Sequence, residues 1–282
     1  MDGEVELMDL YWTTAGVLPG VGEISRFDFE DRAKAASKAG FKGIGIWHTD
    51  LEHITTHRTL KEMKYILQDN GLKYVELEFL TDWFLEAGAR KSDSDSRKRR
   101  LFEASEALQA KHIKIGDFYN SPCPMPRVIE SFAALCKEAE NHGATIGFEL
   151  MPVATINNLE DALTMVKTAG AENGGLILDI VQVVNLGITF DSIRRIPLRH
   201  LINIELNDGS LPGSPGHDSS EGRRFCGEGE FDIKGFIKCI KDMGYSGPWA
   251  VEVYSEEAVR LPLKESCQKA FNTTMAEFID LS

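Results

Sequence analysis

Four short apolar runs in the second half of the chain each end on an acid, and no other feature constrains the fold as much. Thr145-Ile146-Gly147-Phe148 ends on Glu149, Leu176-Ile177-Leu178 on Asp179, Leu201 to Ile204 on Glu205, and Trp249-Ala250-Val251 on Glu252. Runs of this length read as short buried strands, each stopping where a strand meets its loop. A carboxylate is seldom fully buried unless it is paired or bound to a cation. Four that converge would repel strongly unless a divalent ion lay between them. The pattern predicts one metal site held by Glu149, Asp179, Glu205 and Glu252. Taken singly, each acid could as well be a helix cap or an ion-pair partner in a loop. Four at the ends of consecutive strands argue for a common purpose.

The rest of the chain supplies the partners such strands need. Further apolar runs are expected at 5–11, at 41–47 with His48 at its end, at 72–79 and at 112–115. Helical patterns fall between the runs, near 27–39, 59–70, 92–110, 128–141, 158–169, 191–195 and 232–243, with a last one from about 263 onward. Acids in first turns and glycines at the ends, such as Gly40, Gly71 and Gly143, punctuate them as helix signals should. Eight runs alternating with eight helical patterns predict a (β/α)8 barrel, α/β in class, as a single domain over 1–282. A doubly wound open sheet would normally show a Gly-rich turn after the first strand, and Thr13-Thr14-Ala15-Gly16 is not one.

With 282 residues and 43% apolar content, the chain can build a core of that size. Its net charge of −13 argues against a nucleic-acid or anionic-membrane partner. Five scattered cysteines without a C-x-x-C pair suit reduced thiols. The acidic N-terminus shows no signal-peptide pattern, and no apolar run approaches the roughly 18 residues of a membrane span. A cytoplasmic globular protein is expected, with a homo-oligomer left open.

Over most of its length, and most strongly from Gly143 onward, the sequence resembles the xylose-isomerase-like barrel superfamily of sugar isomerases, epimerases and inosose dehydratases. The segments that carry the likeness are G-F-E at Glu149, L-I-L-D at Asp179, I-E-L-N-D over 204–208, G-E-G-E-F-D over 227–232, and G-Y-S-G-P-W-A-V-E-V over 244–253. The resemblance implies a Glu, an Asp, a His or Gln and a Glu around one divalent ion. It also implies that the two glutamates, here Glu149 and Glu252, move a proton beside a carbonyl. Two departures stand out. Glu205 takes the place of the usual His or Gln, which makes the set all-carboxylate and suited to Mn²⁺ or Mg²⁺ before Co²⁺ or Zn²⁺. Gln182 takes the place of a common substrate-binding His, and Met151 offers no acid or base beside Glu149.

Other candidates lie around the same face. His48 binds substrate, shuttles a proton or is structural. Glu76 and Glu78 alternate with apolar residues, and Glu78 lies nearer the functional end. His112 and Lys114 share a face, and an inward Lys114 would polarise a substrate oxygen or balance the acids, although lysines more often snorkel outward. His217, Arg223 and Arg224 lie in a long Gly/Ser/Pro-rich loop, and Arg223 or Arg224 is the choice for substrate contact. Trp12, Trp47 and Trp83 are candidates for stacking on a sugar ring. The chemistry expected is isomerisation or epimerisation of a small sugar or polyol through an enediolate, the metal acidifying the carbon acid. A dehydratase or lyase on a keto-sugar, inosose or 3-keto-glycoside is the near alternative. A non-catalytic sugar-binding barrel is the alternative of another class.

Overall fold

A computed structural model describes residues 4–214, 223–279 and 281; His217 lies outside them. Eight parallel strands close in chain order into a barrel: β1 (Leu7–Asp9), β2 (Gly43–Trp47), β3 (Tyr74–Leu80), β4 (His112–Ile115), β5 (Ile146–Glu149), β6 (Gly174–Asp179), β7 (Leu201–Leu206) and β8 (Trp249–Val251). β1 pairs with β8 to complete the ring. The expected (β/α)8 architecture is the one observed, as a single domain.

Helices surround the ring and bury one stripe each. The helix Leu60–Asp69 starts on a reciprocal cap in which Glu62 N–H donates to Thr59 and Thr59 N–H donates to Glu62. Asn158 accepts from Asp161 N–H at 2.9 Å to start Leu159–Ala169. The helix predicted at 128–141 starts earlier, at Met125, because a proline in the first turn loses no intrahelical hydrogen bond.

Two expectations fail at strand ends. The first strand stops at Asp9, where the chain turns into the short helix Tyr11–Thr14. His48 does not end β2 but opens the helix His48–Thr55, which carries no acid-rich start to announce it beyond Asp50.

The motif segments after β7 have a structural role of their own. The buried Asp208 carboxylate accepts four backbone N–H bonds, from Gly209 (2.8 Å), Gly227 (3.0 Å), Gly229 (2.8 Å) and Phe231 (3.0 Å). Asp208 and Arg224 also exchange two backbone bonds. This clasp ties the departing and returning ends of the 209–230 loop to the top of β7.

Candidate active site

Alternation along the strands turns every second side chain into the barrel. On β3 that places Glu76 and Glu78 inward, on β4 His112 and Lys114, and on β7 Asn203 and Glu205, with Asn207 just beyond its end; all are buried. A barrel interior is usually filled by branched aliphatic residues. Here it is polar, and it divides into two parts.

The first part surrounds Lys114, which is 0% exposed. Its Nζ lies 2.9 Å from Glu205 Oε1, 3.1 Å from Glu76 Oε1, 3.2 Å from Glu78 Oε2 and 3.2 Å from Glu252 Oε1. Burial alone would depress the ammonium, but Glu205, Glu76 and Glu78 overcome it and hold Lys114 well above its ordinary pKa. Below it, Glu76 bonds to His112 and accepts from Asn203 Nδ2 at 2.9 Å. Glu76 is buried, which opposes ionisation, yet Lys114 and His112 bring its pKa down to about 2. Burial also lowers His112, to about 4, so the ring is neutral near pH 7. Glu78 additionally accepts from Tyr11 N–H at 3.3 Å. Gly45 makes this fit possible, since a Cβ there would stand 2.7 Å from Glu78 Oε1 and 2.8 Å from Tyr11 N.

The second part gathers the acids that end β5 and β6 and the one that stands a residue before the end of β7. One carboxylate oxygen from each of Glu149, Asp179 and Glu205 lies within 4.8 Å of the others. Register places Asp179 directly beside Glu205. Burial pushes Glu149 up to about 7, Lys114 opposing and Asp179 adding to the rise. Burial likewise drives Glu205 well above the usual carboxylate range. Among the described residues Glu205 Oε2 has no hydrogen-bond partner. Three buried carboxylates with an unpartnered oxygen between them form an all-oxygen donor set that fits a hard divalent cation. Asp179 is held in place by Asn207 Nδ2 at 2.7 Å, Val181 N–H at 3.1 Å and Arg223 Nη1 at 2.8 Å.

Of the four expected ligands, Glu149, Asp179 and Glu205 gather within 4.8 Å, one oxygen from each. Glu252 stands alongside, its two oxygens facing Lys114 and the Arg223 guanidinium, which also reach Glu205 and Asp179. Arg223 is buried and packs over the Tyr254 ring at 4.8 Å, bridging Asp179 and Glu252. Arg224 turns away: it is exposed and donates to Glu228 O at 3.4 Å, so the substrate-contact expectation for it is withdrawn.

A cavity of ≈ 290 Å³ opens above both parts. Glu78, Lys114, Glu149, Gln182, Arg223 and Glu252 reach its floor, and Trp12, Trp47, Phe79 and Tyr254 form its walls. Gln182 Nε2 stands 3.5 Å from Glu149 Oε1. Trp12 and Trp47 meet edge-on at 4.9 Å. Trp83 belongs instead to the core, where its Nε1 donates to Gly116 O at 3.2 Å, and it is no stacking platform. His48 lies outside this cavity, lining a neighbouring one, and its Nδ1 accepts from Phe79 N–H at 3.4 Å.

Two residues escaped the sequence reading although its own rules reach them. Asp9 ends β1 as the other acids end theirs; it is buried, bonded to Thr14 Oγ1 at 2.8 Å, and pushed up to about 7 by burial. Asn207 follows Glu205 by two and so shares its inward face.

Comparison with known proteins agrees with this fold. The family model described as xylose isomerase-like TIM barrel matches residues 33–272. An inosose isomerase from Halalkalibacterium halodurans is 22% identical over 231 residues, covering 79% of this chain and 81% of its own length. A 3-dehydroshikimate dehydratase from Pseudomonas aeruginosa is 24% identical over 233 residues, 80% of this chain; the match spans only 36% of that longer protein. Among solved structures, the zinc-bound IOLI protein superposes with a TM-score of 0.82 at 20% identity, covering 97% of this chain and 98% of its own. A D-allulose 3-epimerase from Methylomonas sp. gives 0.71 at 17%, with 97% and 98% covered. The chain belongs to the xylose isomerase-like TIM barrel family.

Proposed function

We propose that this protein is a divalent-metal-dependent isomerase or epimerase of a small sugar or polyol, moving a proton beside a carbonyl. The observation that carries the reading is the three-carboxylate group of Glu149, Asp179 and Glu205, which meets the cavity at Glu149, with Glu252 lining the same cavity beside it. Glu149, Asp179 and Glu205 would hold a divalent ion, which would supply the Lewis acidity that acidifies the carbon beside a substrate carbonyl. The all-oxygen set favours Mn²⁺ or Mg²⁺.

The chain's own residues do the rest. Glu252 is fixed by Lys114 and Arg223 rather than by the carboxylate group, so one of its oxygens takes the substrate proton without unseating a ligand. Glu149 and Gln182 stand across the cavity floor and return the proton or orient the hydroxyl that receives it. Lys114 steadies the negative charge that grows on the substrate oxygen. Trp12 and Trp47 cover one wall and exclude water from the enediolate.

A second reading is dehydration of a keto-sugar or related polyol, in which Glu252 passes the proton it has taken beside the carbonyl to a departing β-hydroxyl, which leaves as water. The relatives include both an isomerase and a dehydratase.

The test is the Mn²⁺-loaded protein incubated with keto-sugars, inososes and 3-keto-glycosides in D₂O, with exchange and products followed by NMR. Deuterium entering beside the carbonyl, with an isomer formed, supports the first reading; loss of water supports the second. Metal analysis accompanies it: one ion per chain is expected, and Glu149→Gln should weaken binding by ~10–100-fold or more, since even partners that only orient a ligand contribute on that scale. Unchanged occupancy in that variant would remove the basis of both readings.

A further inference from the structure

Beside the barrel mouth lies a second cavity of ≈ 180 Å³, which shares Glu23, Trp47, Phe79 and Phe118 with the first. His48 and Arg97 contribute to its wall. Arg97 rises from the helix Ala89–Leu108, where Arg90 pairs with Asp82, Lys91 with Asp95, Lys98 with Glu138 at 2.5 Å and Arg100 with Glu52 at 2.7 Å, while Arg99 is exposed and donates to Ser96 Oγ. Arg97 has no such partner among the described residues; its Nη1 donates to Thr81 Oγ1 at 3.2 Å. A half-buried guanidinium without a carboxylate has lost water and received little in return.

His48 points to the same polarity. Phe79 N–H donates to its Nδ1, so the neutral ring carries its proton on Nε2. Burial, with Arg97 and Arg100 nearby, keeps the imidazole from charging. The acids around this cavity are otherwise placed. Asp82 is engaged by Arg90, Glu23 is exposed and accepts from Thr49 Oγ1 at 2.6 Å, and Asp93 is exposed to solvent.

We infer that this side cavity is a subsite for an anionic group of the substrate, a carboxylate or a phosphate, received by Arg97 and the His48 imidazole. The inference rests on the proposal that the main cavity takes the reacting part of a sugar. It narrows the substrate class to a sugar acid or a sugar phosphate. The two cavities are adjacent through their shared residues, and the inferred pose sets the carbonyl of one molecule over Glu149 and Glu252 and its anion beside Arg97. Arg suits both anions through its planar fork of donors.

The binding test needs neither metal nor turnover. Metal-free protein is titrated with inorganic phosphate and, separately, acetate, while the His48 ring resonances, assigned through His48→Gln, are followed by NMR. A saturable shift is expected, lost in Arg97→Met, partly kept in Arg97→Lys and intact in Arg100→Met. No shift, or a shift that survives Arg97→Met, overturns the subsite. The two sources are then separated on Mn²⁺-loaded protein by comparing D-fructose, D-fructose 6-phosphate and 2-keto-D-gluconate. At least tenfold tighter binding of one anionic probe over D-fructose is expected, with the margin removed by Arg97→Met. Equal affinity for all three overturns the inference. A phosphate-dependent shift at His48 in a protein that exchanges no sugar proton would count against the proposed reaction and not against the subsite.

Discussion

Glu76 and Glu149 are the same residue type, equally buried inside one barrel, yet their carboxyls move in opposite directions. Glu76 falls to about 2, and Glu149 rises to about 7. Desolvation acts on both and disfavours the charge. Glu76, on the β3–β4 side, has Lys114, His112 and Asn203 against it. Glu149, on the β5–β7 side, has Asp179 and Glu205. Lys114 and Arg223 reach Glu205 and Asp179 on the second side as well, but they do not offset the burial of Glu149, and that side keeps room for a further cation. Burial sets the cost of each charge, and the neighbour decides whether that cost is met.

The harshest way to break the contrast is to take the cation from the Glu76 side. Lys114→Met leaves Glu76, Glu78, Glu205 and Glu252 without their common cation. Removing one partner from a buried ion pair typically destabilises by about 3–5 kcal/mol, and urea unfolding should show a loss of that order. A midpoint equal to wild type would mean that these glutamates are already protonated in the fold.

Next in size is the boundary residue. Glu252→Gln should lower kcat by about 10²-fold or more, the scale of a lost general acid or base, while Mn²⁺ affinity by calorimetry stays near wild type, because Glu252 lies outside the three-carboxylate group. A matching collapse of metal affinity would return Glu252 to the ligand set.

The pH dependence sharpens the same comparison. In the metal-free protein the Glu149 pKa is raised from 4.5 to about 7. A carboxyl raised on folding contributes stability that is complete below its unfolded pKa and lost as pH rises through its folded one. The stability of metal-free protein, followed by its thermal midpoint, should therefore decline as the pH climbs from the ordinary glutamate value to about 7. The loss should be on the order of 1 kcal/mol for each pH step across that window. Excess Mn²⁺ should reverse the decline, and Glu149→Gln should make it shallower, leaving the share that Asp9 contributes. A wild-type midpoint that climbed over this window would contradict the unpaired state of Glu149.

The smallest effect is expected at Arg224. Arg224→Ala should change stability by less than ~0.5 kcal/mol and leave turnover alone, since the side chain is exposed. Arg223→Ala should impair both metal binding and turnover, because Asp179 and Glu252 lose their shared partner. Equal effects of the two would erase the distinction between neighbours.

This distinction shows why part of the site was legible from sequence and part was not. Strand ends are visible because apolar runs are local, and the acids that stop them are read directly; Glu149, Asp179 and Glu205 converge for that reason. Asp9 obeys the same rule but was hidden within an expected strand at 5–11 that the fold cuts at residue 9. Which of Arg223 and Arg224 turns inward depends on the bridge to Asp208, a contact across the loop with no local signature. Lys114 illustrates the same limit. Its inward parity is predictable, but staying buried needs four acids from three other strands, and no window of sequence holds them together.

The Asp208 clasp has a consequence for how such a protein can diversify. Four backbone bonds to one carboxylate, with the Arg224 bridge beside them, hold both ends of the 209–230 segment to the barrel rim. Once the ends of a loop are fixed, its length enters the free energy only logarithmically, about 0.6 kcal/mol for each doubling. The stretch between Gly209 and Arg223 is therefore a cassette. Its length can change at little thermodynamic cost to the barrel, because the bonds that hold its ends are made by the Asp208 carboxylate and by backbone groups outside it.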